Sequence, residues 1–134
     1  MIQPKKTKYK KFFRGKISGR SFKGNKLAFG NFGIKILQSG RIKACQLESI
    51  RKSILKKLKS KSKLWITIFP HLAVSAKPID IRMGKGKGSI SYWCFPLKAG
   101  RILFELQEKS VLLPIEILKI VKTKLGLSAI IIYQ

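Results

Sequence analysis

The first 30 residues of the chain hold ten lysines or arginines and no acidic residue. No other feature restricts the fold so strongly, because charge at that density repels itself and resists burial unless a polyanion neutralises it. Residues 1–26 also keep no helical or strand period, and Gly15, Gly19 and Gly24 punctuate them. They read as an extended basic segment, poorly ordered in water, ahead of a globular domain over residues 27–134. Tyr9, Phe12, Phe13 and Phe22 lie among its cations. Lysines on phosphates beside rings on bases suit a contact with irregular RNA.

The imbalance continues downstream, where residues 31–63 carry ten bases against Glu48 alone. Over all 134 residues, 30 Lys or Arg face 5 Asp or Glu, a formal net charge of +25. The hydrophobic content, 45%, is still enough for one buried core. Nucleic acid is the first partner this balance predicts and an acidic membrane surface the second. No apolar run approaches the ~18 residues of a membrane-spanning helix, so no membrane insertion is expected. The N-terminus reads as neither a secretory signal nor a transit peptide.

Little material is available for catalysis. His71 is the sole histidine, and the acids are Glu48, Asp80, Glu105, Glu108 and Glu116. Glu105 and Glu108 are expected at an exposed strand end or turn, and His71 in a structural or RNA-facing place. Cys45 and Cys94 form no CxxC and read as buried, reduced packing residues. A binding protein is predicted, without enzymatic activity, metal or cofactor.

Hydrophobic periodicity places the elements. Phe29 to Leu37 alternates as a strand with Phe32, Ile34 and Ile36 on one face. A helix follows over about 44–61, its stripe formed by Leu47, Ile50, Ile54, Leu55 and Leu58, although Lys43 stands where a capping Ser or Thr is preferred. Leu64–Phe69 reads as a strand, Val74–Ile81 as an edge strand containing Pro78, and Ser89–Leu97 and Arg101–Leu106 as two more. A second helix is predicted over 111–125, with Ser110 as cap, Pro114 in the first turn and Gly126 as stop. Residues 128–133 form a short buried strand. The class is α+β, two helices packed on a mostly antiparallel sheet. Trp65, Tyr92 and Trp93 read first as core, with one ring of the Tyr92–Trp93 pair facing out.

Arg82-Met83-Gly84-Lys85-Gly86-Lys87-Gly88 is the most unusual segment. Alternate glycines free the backbone for close approach, while Arg82, Lys85 and Lys87 can reach phosphates from both sides of a narrow loop. It is neither a P-loop, which needs Ser or Thr at Gly88, nor a GxGxxG turn. A phosphate-binding finger is the preferred reading.

The strings IQPKKTKYKK, FGNFGIK, KLWITIFP, KPIDIRMGKGKG, YW and AGRILFEL, in that order, resemble the large-subunit ribosomal protein L-sixteen family of bacterial and organellar type. The resemblance runs from Gln3 to about Leu125. It implies an α/β-hammerhead-like fold and a structural place in the large ribosomal subunit, on rRNA near the A site and central protuberance, helping to position tRNA. By the same resemblance, Lys5, Lys6, Lys8, Lys11, Lys35, Arg41, Arg51, Lys52, Lys63 and Lys77 bind rRNA. The Arg82–Gly88 loop points towards the peptidyl-transferase region and tRNA. Neighbouring large-subunit proteins are further implied partners, and no homo-oligomer is expected. Thr67, the His71-Leu72-Ala73 triplet and Lys43 depart from the family pattern. An RNA chaperone acting outside the ribosome is the alternative.

Lys outnumbers Arg 24 to 6, and Ile outnumbers Ala 19 to 6. That bias fits AT-rich coding and points to an organellar ribosome, mitochondrial first, with plastid or bacterial cytoplasm as alternatives.

Overall fold

The computed structural model describes residues 2–9, 11–58, 62–107 and 113–134. Along the chain the elements are β1 (Phe32–Ile36), β2 (Gly40–Lys43), α1 (Ala44–Lys57), β3 (Lys63–Ile66), β4 (Leu72–Ala76), β5 (Ser89–Leu97), β6 (Ile102–Gln107), α2 (Leu113–Leu125) and β7 (Ala129–Tyr133). This is the predicted α+β class, with every pairing between these strands antiparallel. The strands divide, however, over two sheets. One has the order β3-β6-β1-β7 and the other β2-β5-β4.

The alternation of β1 buries Phe32, Ile34 and Ile36 completely or nearly so. With β6 on one side and β7 on the other, β1 becomes a central strand. Gly33 is the position where an added Cβ would strike Leu27 and the Phe104 carbonyl, the close approach its place in the strand predicts. In α1, Leu47, Ile50 and Ile54 turn inward while Leu55 stays exposed. Lys43 supplies no side-chain acceptor as expected, but Gln46 Oε1 accepts the Lys43 N–H at 3.0 Å, so the helix start is capped from its third residue. The helix stops at Lys57, before its predicted end, because Leu58 is extended. Lys59–Lys61 lie outside the described residues. Helix α2 lies against α1, buries Ile117 and Val121, and ends at Gly126, whose φ of 66° is the left-handed stop. Ser110, the expected cap, and Glu108 also lie outside the described residues.

Several expectations need correction. Strands β5 and β6 follow each other at Lys98–Gly100 but join different sheets, so that turn carries the chain from one sheet to the other. Strand β7 is buried only in part: Ala129 is covered and Ile131 packs half-buried on the core, while Ile130 and Tyr133 are exposed at this sheet edge. Pro78 falls beyond the end of β4, in the loop. Cys94 is buried as expected, whereas Cys45 is exposed at the first turn of α1. Glu105 is not at an exposed strand end but 2% exposed in the middle of β6. One of its oxygens, Oε2, accepts the N–H groups of Ala28, Phe29 and Gly30 at 3.0, 2.7 and 3.2 Å. A buried carboxylate is stable there because three amide donors replace water. Gly30 permits the approach, since a Cβ would sit 2.5 Å from the Leu106 carbonyl oxygen.

Candidate nucleic-acid interface

Strands β4 and β5 pair from Leu72–Cys94 outwards to Ala76–Ser89, so residues 77–88 are the connection of an antiparallel hairpin. Gly88 is dictated by its neighbour: a Cβ there would lie 2.3 Å from the Ala76 carbonyl oxygen. Gly84, Lys85 and Gly86 take φ values of 98°, 53° and 80° in succession. Lys85 is the one non-glycine with positive φ among the described residues, a conformation that costs an L-residue roughly 1–2 kcal/mol. Lys77 Nζ donates to the Gly84 carbonyl and closes the base of the loop. The side chains from Lys77 to Lys87 are exposed, Arg82 and Lys85 among them, and Met83 is fully so.

The N-terminal segment lies beside this loop. Lys87 Nζ donates to the Phe12 carbonyl, and Lys11 Nζ donates to the Lys87 carbonyl, so the two cations cross between segment and loop. Further along, Arg41 donates to the carbonyls of Arg14 and Gly15 at 3.0 and 2.7 Å. Arg101, which the sequence did not single out, donates to Lys23 O at 2.6 Å and Thr67 O at 3.3 Å. Basic side chains from the body thus hold the segment by its carbonyls, which leaves its own Lys5, Lys6, Lys8, Lys16 and Lys26 exposed. Arg20 forms a parallel bridge with Ala99, and Gly24 O accepts the Ile102 N–H at 2.9 Å. Between Lys11 and Gly24 the body thus contacts the backbone of the segment at several points.

The predicted cations divide by task. Lys5, Lys6, Lys8, Lys52, Lys63, Arg82 and Lys85 point to solvent. Lys35 is half-buried, with Nζ 3.4 Å from the Asn25 carbonyl. Arg51 pairs with Glu48 at 2.6 Å. That bond holds the Glu48 carboxyl below its usual value and the Arg51 guanidinium above its own. Lys11, Arg41, Lys77 and Lys87 organise the backbone that carries the others.

Rings accompany the charge. Phe13 and Phe22 are about nine-tenths exposed, and Lys8 sits 5.6 Å from the Tyr9 ring centroid. Trp65 stacks on Phe29 with centroids 6.0 Å apart and an angle of 23°. Tyr92 and Trp93 are both half-buried, so neither ring is wholly in the core or wholly out, and Lys43 lies 4.9 Å from the Tyr92 centroid. His71 is exposed, with Nδ1 3.2 Å from Phe69 O and its ring edge-on to Phe95. No group of His, Cys, Asp or Glu suited to a metal ion occurs among the described residues, nor does any described helix have the length and apolarity to cross a membrane.

Three residues with tertiary roles escaped the sequence reading: Glu105, Arg101 and Lys124. Each acts on backbone or hydroxyls far away in sequence, and no local pattern marks them.

Comparison with known proteins fits the geometry. The profile of a family described as ribosomal protein L16p/L10e matches residues 4–132. A large ribosomal subunit protein uL16c of Cyanidium caldarium is 50% identical over 125 residues, covering 93% of this chain and 89% of the relative. A uL16 of Sinorhizobium medicae is 44% identical over 126 residues, covering 94% and 92%. A uL16 of Erythrobacter litoralis is 50% identical over 106 residues, covering 79% and 74%.

Proposed function

Because this chain belongs to the ribosomal protein L16p/L10e family, we propose that it binds large-subunit rRNA near the A site and central protuberance and helps to position tRNA there. Its role is that of a structural constituent of the large ribosomal subunit, the role named for its relatives, and it serves in an organellar or bacterial ribosome. Within that range the Lys-over-Arg and Ile-over-Ala bias favours the mitochondrial ribosome. Neighbouring large-subunit proteins complete its surroundings.

One observation carries the RNA reading. The glycine-lysine loop and the N-terminal segment are cross-linked through Lys11 and Lys87, which makes one cationic ridge of two regions far apart in sequence. Exposed lysines on that ridge neutralise phosphates, and exposed Phe13 and Phe22 offer faces for bases. The loop tip, with Arg82 and Lys85 turned outward, is the part assigned to tRNA, and the segment is the part assigned to rRNA. Residues 1–26 form the RNA-docking extension and 27–134 the domain that aims it.

The test uses Lys85→Ala, because among the described residues Lys85 makes no bond to the segment whereas Lys87 does. Mutant ribosomes are assayed for subunit stoichiometry by mass spectrometry and for A-site tRNA binding. Normal stoichiometry with weakened tRNA binding is expected. Normal values of both mean that the loop is only a turn, and lost stoichiometry means that it anchors the protein to rRNA. A wild-type chain that washes off the large subunit at moderate salt contradicts the ribosomal placement itself.

A further inference from the structure

Where the last turn of α2 meets α1, an open groove of about 550 Å³ is lined by Glu48, Ser49, Lys52, Ser53, Lys56 and Lys124, among others. Lys124 Nζ donates to the Ser49 hydroxyl at 2.7 Å, to the Ser53 hydroxyl at 2.7 Å and to the Ser49 carbonyl at 3.3 Å. An ammonium has three N–H donors, so those of Lys124 are spent inside the protein and only its charge acts on the groove. Each hydroxyl that accepts from Lys124 keeps its own proton to donate. A serine or threonine on a helix commonly spends that proton on the carbonyl one turn back. Thr123 does so, donating to Lys119 O at 2.9 Å. Ser49 and Ser53 make no such bond among the described residues, which leaves both O–H groups for an acceptor in the groove.

Apart from the Cys45 thiol, the rest of the lining is charged and mainly basic. Lys52 and Lys56 lie one helical turn apart on α1 and are exposed. Glu48, the groove's one acid, is engaged by Arg51 at 2.6 Å, so its charge is offset. Two oriented hydroxyl donors and three cations around an open cleft match a tetrahedral oxyanion.

We propose that the α1–α2 groove is a seat for a backbone phosphate of RNA. Ser49 and Ser53 donate to its non-bridging oxygens, Lys52 and Lys56 neutralise it, and Lys124 is the positioning residue that fixes both hydroxyls. The assignment rests on the RNA-binding reading above and adds a contact distinct from the tail-and-loop ridge. The serines, Lys56 and Lys124 were outside the set read from the sequence. It also gives a reason for joining the two helices by a lysine and two serines where apolar packing alone could join them.

The test compares the full chain with S49A/S53A, which keeps the net charge and so keeps non-specific attraction to polyanions. Isotope-labelled protein is titrated with inorganic phosphate and, separately, with a short oligouridylate, and amide shifts are followed by NMR. Both ligands are expected to move the signals of Ser49, Lys52 and Ser53. The serine variant should bind oligouridylate at this groove about fivefold more weakly or worse, as hydrogen bonds to a charged group are lost, with the Gly84 and Gly86 signals titrating as before. Should the variant loosen the helix pair, K52Q/K56Q leaves the Lys124–serine bonds intact and is expected to weaken groove binding likewise. Groove signals that ignore both ligands, or variants that bind as wild type, overturn the proposal. Movement with phosphate but not with oligouridylate shows a free-anion site and overturns the RNA assignment. A silent groove beside a responsive loop and tail sinks this proposal alone, whereas absence of RNA binding anywhere sinks the proposed function with it.

Discussion

At Glu105 a single side-chain oxygen satisfies three successive backbone amides, those of Ala28, Phe29 and Gly30. Glutamine at this place keeps the volume and can turn its one amide oxygen to the three donors, but it replaces a charged acceptor by a neutral one. Glu105→Gln is expected to cost about 2–3 kcal/mol, read as a lower urea midpoint with unchanged slope. The two thiols should also separate chemically. Burial pushes the Cys94 thiol up, more than nearby Arg41 and Arg14 pull it down, so at a given pH less of it is thiolate and none of it is accessible. Cys45 is exposed. Brief iodoacetamide treatment of the folded protein is expected to alkylate Cys45 and spare Cys94, with both modified after denaturation; a peptide map checks this. Neither Glu105 nor Cys45 was legible from sequence. The carboxylate's donors lie more than 70 residues away, and the exposure of Cys45 depends on which face of α1 is covered by α2 and by strands β2 and β5.

The elements themselves were largely legible. Period-two alternation located β1, and the apolar stripe located α1, because each pattern reports a single buried face. Short β2 carried too few residues for a pattern, and the allocation of β5 and β6 to separate sheets left no trace in their composition. The N-terminal segment shows the same limit, since its lack of periodicity reads as disorder although the body binds its carbonyls. That difference changes what truncation should do. Removal of residues 1–19 loses the packing of Ile2 on the core and the Arg41 contacts, and the domain is expected to stay folded. Removal through residue 26 also takes the Ser21–Ala99 and Ile102–Gly24 backbone bonds and the Lys23 acceptor of Arg101. It is expected to cost a further ~2–4 kcal/mol, at about 1 kcal/mol for each bond and more for the charged one. Thermal unfolding of the two truncations decides between this and a tail that contributes nothing. In the loop, Gly86→Val is expected to leave the unfolding midpoint within a few degrees, since no atom lies within 4 Å of the added Cβ. Its φ of 80° is hostile to a β-branched residue, so the loop backbone should shift and A-site tRNA binding should fall.

For the molecule as a whole, attraction to RNA is set by 30 basic side chains that only five acids oppose, a net charge of +25. If six to ten phosphates are engaged, affinity for naked rRNA is expected to drop by about 10³–10⁵ between 50 and 200 mM salt. A filter-binding series across that range checks it, and a flat profile contradicts phosphate neutralisation. The cationic character of the interface was plain in the sequence. The division of labour was not, because a lysine that caps a carbonyl and one that points to solvent look alike on paper.

The sheet order β3-β6-β1-β7 has a consequence for how the protein is made. Strand β1 emerges early in synthesis, yet its two neighbours begin at Ile102 and Ala129, and Gln134 donates its N–H to Asn31 at 3.0 Å. Through most of translation β1 has no partner on either edge, and contacts of such long sequence separation close slowly. The sheet can therefore close on both sides of β1 only once β7 has been made, so the basic front of the chain is exposed well before the domain behind it is complete.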